Sequence, residues 1–274
     1  MLRKLLKYEF RATARLMLPL LIALLAVSGI LNICVRVSNA TESNVIAFVT
    51  GMLTFLYVMA ILAIGVVVLV AIVYRFYKNL LTDEGYLMFT LPASVHSLVW
   101  AKLITAIVWL VAAFIDIVLS LLVLAAPFDI RVGLDITVVI GEMFNDLAAA
   151  GIGWYEVVAF CLELLLIVVL GLAGSCLVFY TSMSLGYSFS NHKALLSVAF
   201  YFAIGCVTQI VVVMLLIGLG TTAGSVEFTF EYTLRNALNL GHLTLLGICL
   251  AELLYDGILY FGTTFMLKRR LNLP

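Results

Sequence analysis

The chain has 274 residues, 65% of them hydrophobic and 11% charged, with no net charge and a mean hydropathy of +1.23. A soluble domain carries about 25% charged and about 45–50% apolar residues. This composition therefore excludes a water-soluble core and makes lipid the solvent, and the absent net charge leaves no basic field for nucleic acid.

The first 17 residues read as an amphipathic helix. At about 100° per residue, Arg3, Lys4, Lys7, Arg11 and Arg15 share one third of the circumference, and Leu2, Leu5, Leu6, Phe10, Leu16 and Met17 lie opposite. Such a helix rests in the plane of the membrane interface. Its long charged part argues against a cleaved signal peptide. Glu9 breaks the pattern, because it projects into the middle of the apolar face. A carboxylate there is costly unless paired, so a cation or donor from another segment is expected to meet it.

Six hydrophobic spans follow, at about 17–34, 45–74, 104–126, 155–187, 194–219 and 243–266, against the ~20 helical residues that cross a bilayer core. The second and fourth exceed that length, so they tilt or project into water. The second is expected to continue as a helix beyond the membrane into the polar-bearing stretch 75–103. Charge sorting orients the set. With the amino terminus inside, the cytoplasmic segments hold twelve basic residues: Arg3, Lys4, Lys7, Arg11, Arg15, Arg75, Lys78, Lys102, Lys193, Lys268, Arg269 and Arg270. The outer loops hold three, Arg36, Arg131 and Arg235. This positive-inside bias places both termini in the cytoplasm.

The stretch 75–103, RFYKNLLTDEGYLMFTLPASVHSLVWAKL, is the long cytoplasmic break. Beside its charges it shows an apolar run, Tyr86, Leu87, Met88, Phe89 and Leu91. An exposed apolar patch with a polar rim marks a docking surface; the alternative is that the run folds back into the headgroup zone. On the outer side, 128–153 is too long for a turn and mixes apolar with acidic positions. It reads as one or two short helices on the membrane surface. The segment 220–242 is similar.

No phosphate-cradling G-x-x-x-x-G-K-[ST], no H-E-x-x-H and no G-x-S-x-G occurs, so an enzyme reading has little support and no catalytic or metal residue is assigned. The five cysteines (Cys34, Cys161, Cys176, Cys206, Cys249) show no C-x-x-C spacing and read as small packing residues. His96, His192 and His242 sit at span borders and read as interfacial. Four acids lie deep in the spans: Asp116 in the third, Glu163 in the fourth, and Glu252 and Asp256 one turn apart in the sixth. Intramembrane ionisable groups are expensive and face a bundle interior or a water-filled path. These four either line a substrate pathway for a cationic or polar molecule or make neutral hydrogen bonds between helices. Gly171, Ser175, Ser182 and Gly186 recur at four and seven residues and read as a helix-packing face, within the chain or across a dimer.

An amino-terminal interfacial helix, six spans, both ends inside and a docking loop after the second span together resemble the permease subunits of bacterial ABC-2 type transporters. MLRKLLKYEF before the first span, and YRFYKNLLTDEGYLMFTLPAS with the later AKL after the second, are similar to the clostridial-type members. The resemblance implies a single ABC-2 type transmembrane domain over 1–274, with 1–16 as an interfacial elbow helix and 75–103 as the cytoplasmic coupling loop. Thr82, Asp83, Glu84, Tyr86, Leu87, Met88, Phe89 and Leu91 would contact a separate ATPase subunit, present in two copies and carrying the ATP and Mg. A second permease, identical or homologous, would complete the complex in the bacterial cytoplasmic membrane. Family members move drugs, antimicrobial peptides, lipids, polysaccharides or sodium. The fold expected is all-α and polytopic. The function expected is ATP-driven export by alternating access, with no cofactor in this chain. Two rivals stay open: an ion-coupled secondary transporter using the intramembrane acids, and a non-transporting membrane sensor or immunity protein.

Overall fold

A computed structural model describes residues 2–41, 43–90, 94–125, 152–189, 191–225 and 234–269, with positions 138, 141, 142, 145 and 149 between them. Every regular element among the described residues is a helix: α1 (Leu2–Ala40), α2 (Asn44–Leu80), α3 (Asp83–Thr90), α4 (Val95–Ala125), α5 (Trp154–Gly186), α6 (Lys193–Ser225) and α7 (Leu234–Arg269). All but α3 are long and apolar enough to cross a membrane, giving six candidate spans. The chain is an all-helical, multi-pass membrane protein. Helices are what such a composition permits, because a backbone in hydrocarbon must satisfy its own N–H and C=O groups.

The amphipathic segment 1–16 is not set off from the first span. The two form one helix, α1, which runs through Pro19. A single buried stripe explains the continuity: Glu9, Thr13, Met17, Leu24, Ser28 and Leu31 recur every three, four or seven residues along it. The second span does continue as a helix to Leu80. Its 37 residues correspond to about 55 Å of helix at ~1.5 Å per residue, well beyond a ~30 Å hydrocarbon core. In the outer segment 128–153, positions 138, 141, 142, 145 and 149 are helical and exposed. Its other residues up to 151 lie outside the described set, as do Asp129, Asp135, Asp146, Glu227, Glu231 and Arg270.

The chain forms two compact units, Met1–Arg75 with Ser97–Ile140, and Phe76–His96 with Gly141–Pro274. The first unit holds α1, most of α2, and α4, and a chain of polar contacts registers these helices. Glu9 on α1 meets Lys102 on α4 and Arg75 on α2. The indole of Trp109 donates to Thr13 Oγ1 at 2.7 Å. Asn32 Nδ2 donates to the carbonyls of Val123 and Leu124 at 2.9 and 2.8 Å, satisfying two groups that the end of α4 leaves open. Partners rise together along α1 and α4, so these two helices are parallel. Tyr57 on α2 pairs with Ser120 on α4 at 2.7 Å, whereas Arg75 belongs with Lys102, so α2 runs antiparallel to both.

In the second unit α5 packs against α6 and α7. The hydroxyls of Thr181 and Thr263 lie 2.9 Å apart and join α5 to α7. Glu163 pairs with His242, and Asp256 lies at Gly174, so α5 and α7 are also parallel. The turn from α5 to α6 needs two backbone concessions. A side chain at Gly186 would collide with the backbone of Ser197, and His192 takes a positive φ of 54°.

Candidate functional site

The α2–α4 connection is mounted on α5 and α7 of the second unit. The end of α2 and the residue after it are wholly buried at Phe76, Leu80 and Leu81. Phe76 stacks on Tyr180 of α5, with centroids 4.0 Å apart and planes 8° from parallel. Tyr77 makes a tilted ring contact with Tyr187 at 5.7 Å. At the other end of the connection, His96 Nδ1 lies 2.8 Å from the Tyr260 hydroxyl, and its Nε2 lies 2.9 Å from Lys268 Nζ, both groups on α7. An ammonium can only donate, so Nε2 accepts and Nδ1 carries the proton that goes to Tyr260. These four contacts fix both ends of the connection while its middle stays at the surface.

That middle is α3. The Thr82 hydroxyl donates to the Lys78 carbonyl at 2.5 Å, and the Gly85 N–H donates to the Thr82 carbonyl at 2.7 Å, turning the chain from α2 into α3. Asp83 and Glu84 occupy the first turn, where the helix dipole favours negative charge. Glu84 also pairs with Lys78 at 3.5 Å, in the open. Of the apolar run, Tyr86 is 53% and Leu87 73% exposed, and Met88 is half-buried. The side chain of Phe89 and all of Leu91 lie outside the described residues. Leu87 thus stands proud of a short, anchored helix with acids one turn away.

The four intramembrane acids divide between the units, Asp116 falling in the first and the others in the second. Asp116 is 5% exposed, and its Oδ2 has no hydrogen-bond partner among the described residues. Glu163 is paired with His242, Oε2 to Nδ1 at 2.8 Å, with Phe160 edge-on to the same imidazole. Glu252 is half-buried, and Asp256 is 8% exposed, its Oδ1 without a hydrogen-bond partner among the described residues.

The small-residue set on α5 also divides. Ser182 and Gly186 are buried, the latter against Ser197, whereas Gly171 and Ser175 are exposed and nothing lies near Gly171. The α5 surface that meets α7 is rotated from that set and passes through Gly174, Leu177 and Thr181. All five cysteines are free thiols, Cys176 and Cys249 buried and Cys161 and Cys206 exposed. Among the described residues no three His, Cys, Asp or Glu side chains gather into a metal site.

Sequence reasoning missed three features here. His96 and His242 are held by specific partners rather than lying idle at the interface, and Gly174 was not singled out. A histidine at a span border carries no periodic signal that names its partner. Gly174 differs from the other glycines only in what stands opposite it on α7. No family model, no curated protein and no solved structure matches the chain.

Proposed function

We propose that the chain is the permease subunit of an ATP-driven exporter of the ABC-2 type, resident in a bacterial cytoplasmic membrane. It works with a second permease and two copies of a separate ATPase, which carries the ATP and Mg. The observation that carries this reading is α3, an eight-residue helix held by aromatic and histidine contacts at both ends and presenting Tyr86 and Leu87 outward. Burying a Leu side chain contributes about 1.5–3 kcal/mol, so Leu87, Tyr86 and their neighbours provide a contact that survives a conformational cycle. Asp83 and Glu84 add register through basic groups on the ATPase, with exposed pairs contributing about 0–1 kcal/mol each. A soluble partner shifts the bundle only if it contacts α3 differently in its two states. A firm mount is what passes such a difference to α5 and α7. The substrate class that suits a chain of spans with no large outer domain between them is a drug, an antimicrobial peptide or another amphiphile.

The test is co-purification with the ATPases encoded beside it, followed by ATPase and transport assays. Leu87→Asp and Met88→Asp are expected to lose the ATPase and abolish transport while membrane insertion is unchanged. Full ATPase retention with full transport in both variants would overturn the reading and favour burial of the run in the headgroup zone.

A further inference from the structure

Within the first unit, α1 and α2 enclose a cleft of about 430 Å³, inside the ~300–1,000 Å³ range of small-ligand sites. Leu16, Val66, Val67 and Val70 wall it, and the buried Met17 and Thr13 line its inner side. The Thr13 hydroxyl is committed, donating to the Glu9 carbonyl at 2.8 Å and accepting from the Trp109 indole at 2.7 Å. The interior thus offers a polar solute no partner and suits an alkyl chain. From Arg75 to Val66, α2 covers about 14 Å at ~1.5 Å per residue, close to half of a ~30 Å hydrocarbon core. The cleft has the depth of one leaflet. Its polar end is formed by Tyr74 and Arg75. Arg75 gives Nε and Nη2 to Glu9 and makes no hydrogen bond to protein through Nη1 among the described residues. Its side chain is 28% exposed. Glu9 is shared with Lys102, so one carboxylate faces two cations. Arg15 is exposed and stands three residues from Ala12 of the cleft, which makes the two neighbours on the helix surface.

We propose that this cleft binds one anionic phospholipid, with an acyl chain against Leu16, Val66 and Val70 and the phosphate on Arg75, beside Arg15 and the Tyr74 hydroxyl. The guanidinium suits this double duty, because its planar fork can hold a carboxylate with two N–H groups and still present others to a phosphate. Charge selects the headgroup. The mouth is basic, and the exposed Lys7 and Arg11 extend that character along α1. Basic residues at the membrane surface favour anionic lipid, whereas a zwitterionic headgroup brings its own ammonium toward them. The site stands on its own geometry and holds whether or not the chain is a permease.

The experiment uses the full chain in phosphatidylcholine nanodiscs doped with phosphatidylglycerol that carries a photoreactive diazirine on one acyl chain, with adducts located by mass spectrometry. Adducts are expected within residues 12–17 and 66–74. Unlabelled phosphatidylglycerol should suppress them several-fold, and an equal addition of phosphatidylcholine or of inorganic phosphate should not. Arg15→Gln and Val70→Trp, both at exposed positions, are expected to lower the labelling several-fold, the first by removing charge and the second by occupying the cleft. Arg75→Gln is expected to abolish it, and the other two variants carry the test if that one fails to fold. Equal suppression by phosphatidylcholine would reduce the site to ordinary lipid contact, and suppression by inorganic phosphate would leave an anion site without a lipid. Either result overturns the proposal, as does labelling that is absent from both segments or undiminished in Arg15→Gln and Val70→Trp. A disulfide-linked dimer of Val70→Cys, formed in place of lipid labelling in a background lacking the native cysteines, would give the cleft to a second copy of the chain and overturn it too.

Discussion

Glu9 carries the densest set of charged contacts in the first unit. Its Oε1 accepts from Lys102 Nζ at 2.8 Å, and its Oε2 accepts from Arg75 Nη2 at 2.9 Å and more weakly from Nε at 3.3 Å. One carboxylate thereby ties three helices. Lys102 is itself buried, so the pair has little water to fall back on. Removing one partner of a buried pair costs about 3–5 kcal/mol, chiefly because the other charge is left uncompensated. Glu9→Gln is therefore expected to lower the thermal stability of the detergent-solubilised protein strongly. Lys102→Met in the Glu9→Gln background should recover part of the loss, since the stranded ammonium is then gone. Loss of stability equal to the sum of the two single changes would show that the pair is not coupled. One turn further on, Thr13 accepts from Trp109 and donates to the Glu9 carbonyl at 2.8 Å. Trp109→Phe keeps an aromatic ring but deletes the hydrogen bond and part of a buried side chain, so the same melt is expected to show a loss greater than the ~0.5–1.5 kcal/mol of one hydrogen bond. The need for a partner at Glu9 was legible in the sequence, because an acid on an apolar face has few other outcomes. The identity of the partners was not, since Arg75 and Lys102 lie 66 and 93 residues away and no periodic pattern links them.

At the scale of elements, the helices were legible wherever a long apolar run left the backbone no alternative, and the prolongation of α2 followed from its length. The elbow was less so. The amphipathic pattern of 1–16 correctly reports two unlike faces, but it cannot say whether the helix bends at the membrane. A buried stripe that runs from Glu9 to Leu31 accompanies one continuous helix through Pro19. The small-residue face of α5 was legible only in part, because periodicity gives a face without saying what stands opposite. Gly186 illustrates the difference. Its neighbour is the backbone of Ser197 rather than a flexible side chain, so Gly186→Val must push α6 away from α5. The expected result is a marked fall in melting temperature, whereas Gly171→Val, with open space around it, should leave the melt unchanged. The mount of α3 is testable in the same way. Phe76→Ala removes a stacked ring buried against Tyr180 and is expected to cost about 3–5 kcal/mol. His96→Ala frees only the far end of the connection. Hydrogen exchange should then rise in residues 83–90 of His96→Ala while α5 and α7 stay protected. Equal exchange in the variant and the parent would mean that the histidine does not hold the connection.

For the molecule as a whole, each of the two units gathers basic residues at one of its ends. In the first, the antiparallel course of α2 brings Glu9, Arg75 and Lys102 to one end of the three helices, and Arg3, Lys4, Lys7, Arg11 and Arg15 belong to that same end by their place in α1. Arg36 lies toward the other end, beside Asn32, to whose Oδ1 its Nε donates at 2.6 Å. In the second, Phe76 lies on Tyr180 and His96 lies on Tyr260 and Lys268. The end of α5 and the end of α7 therefore meet the same connection, which brings Lys78, Lys193, Lys268 and Arg269 to one end of that unit. The opposite end carries the Glu163–His242 pair. Basic residues gathered at one end of each unit satisfy the positive-inside rule only if those ends are cytoplasmic. The sequence reading counts these basic residues along a line, and the structure gathers them at one end of each unit; in both, the positive-inside rule alone assigns that end to a face of the membrane. Cysteine placed at Glu142, an exposed helical position in the outer segment, is expected to react with an impermeant thiol reagent on intact cells lacking the native cysteines. Cysteine placed at His192 should react only after permeabilisation. The reverse pattern would invert the topology, move α3 to the outer face, and remove the cytoplasmic docking surface on which the permease reading depends.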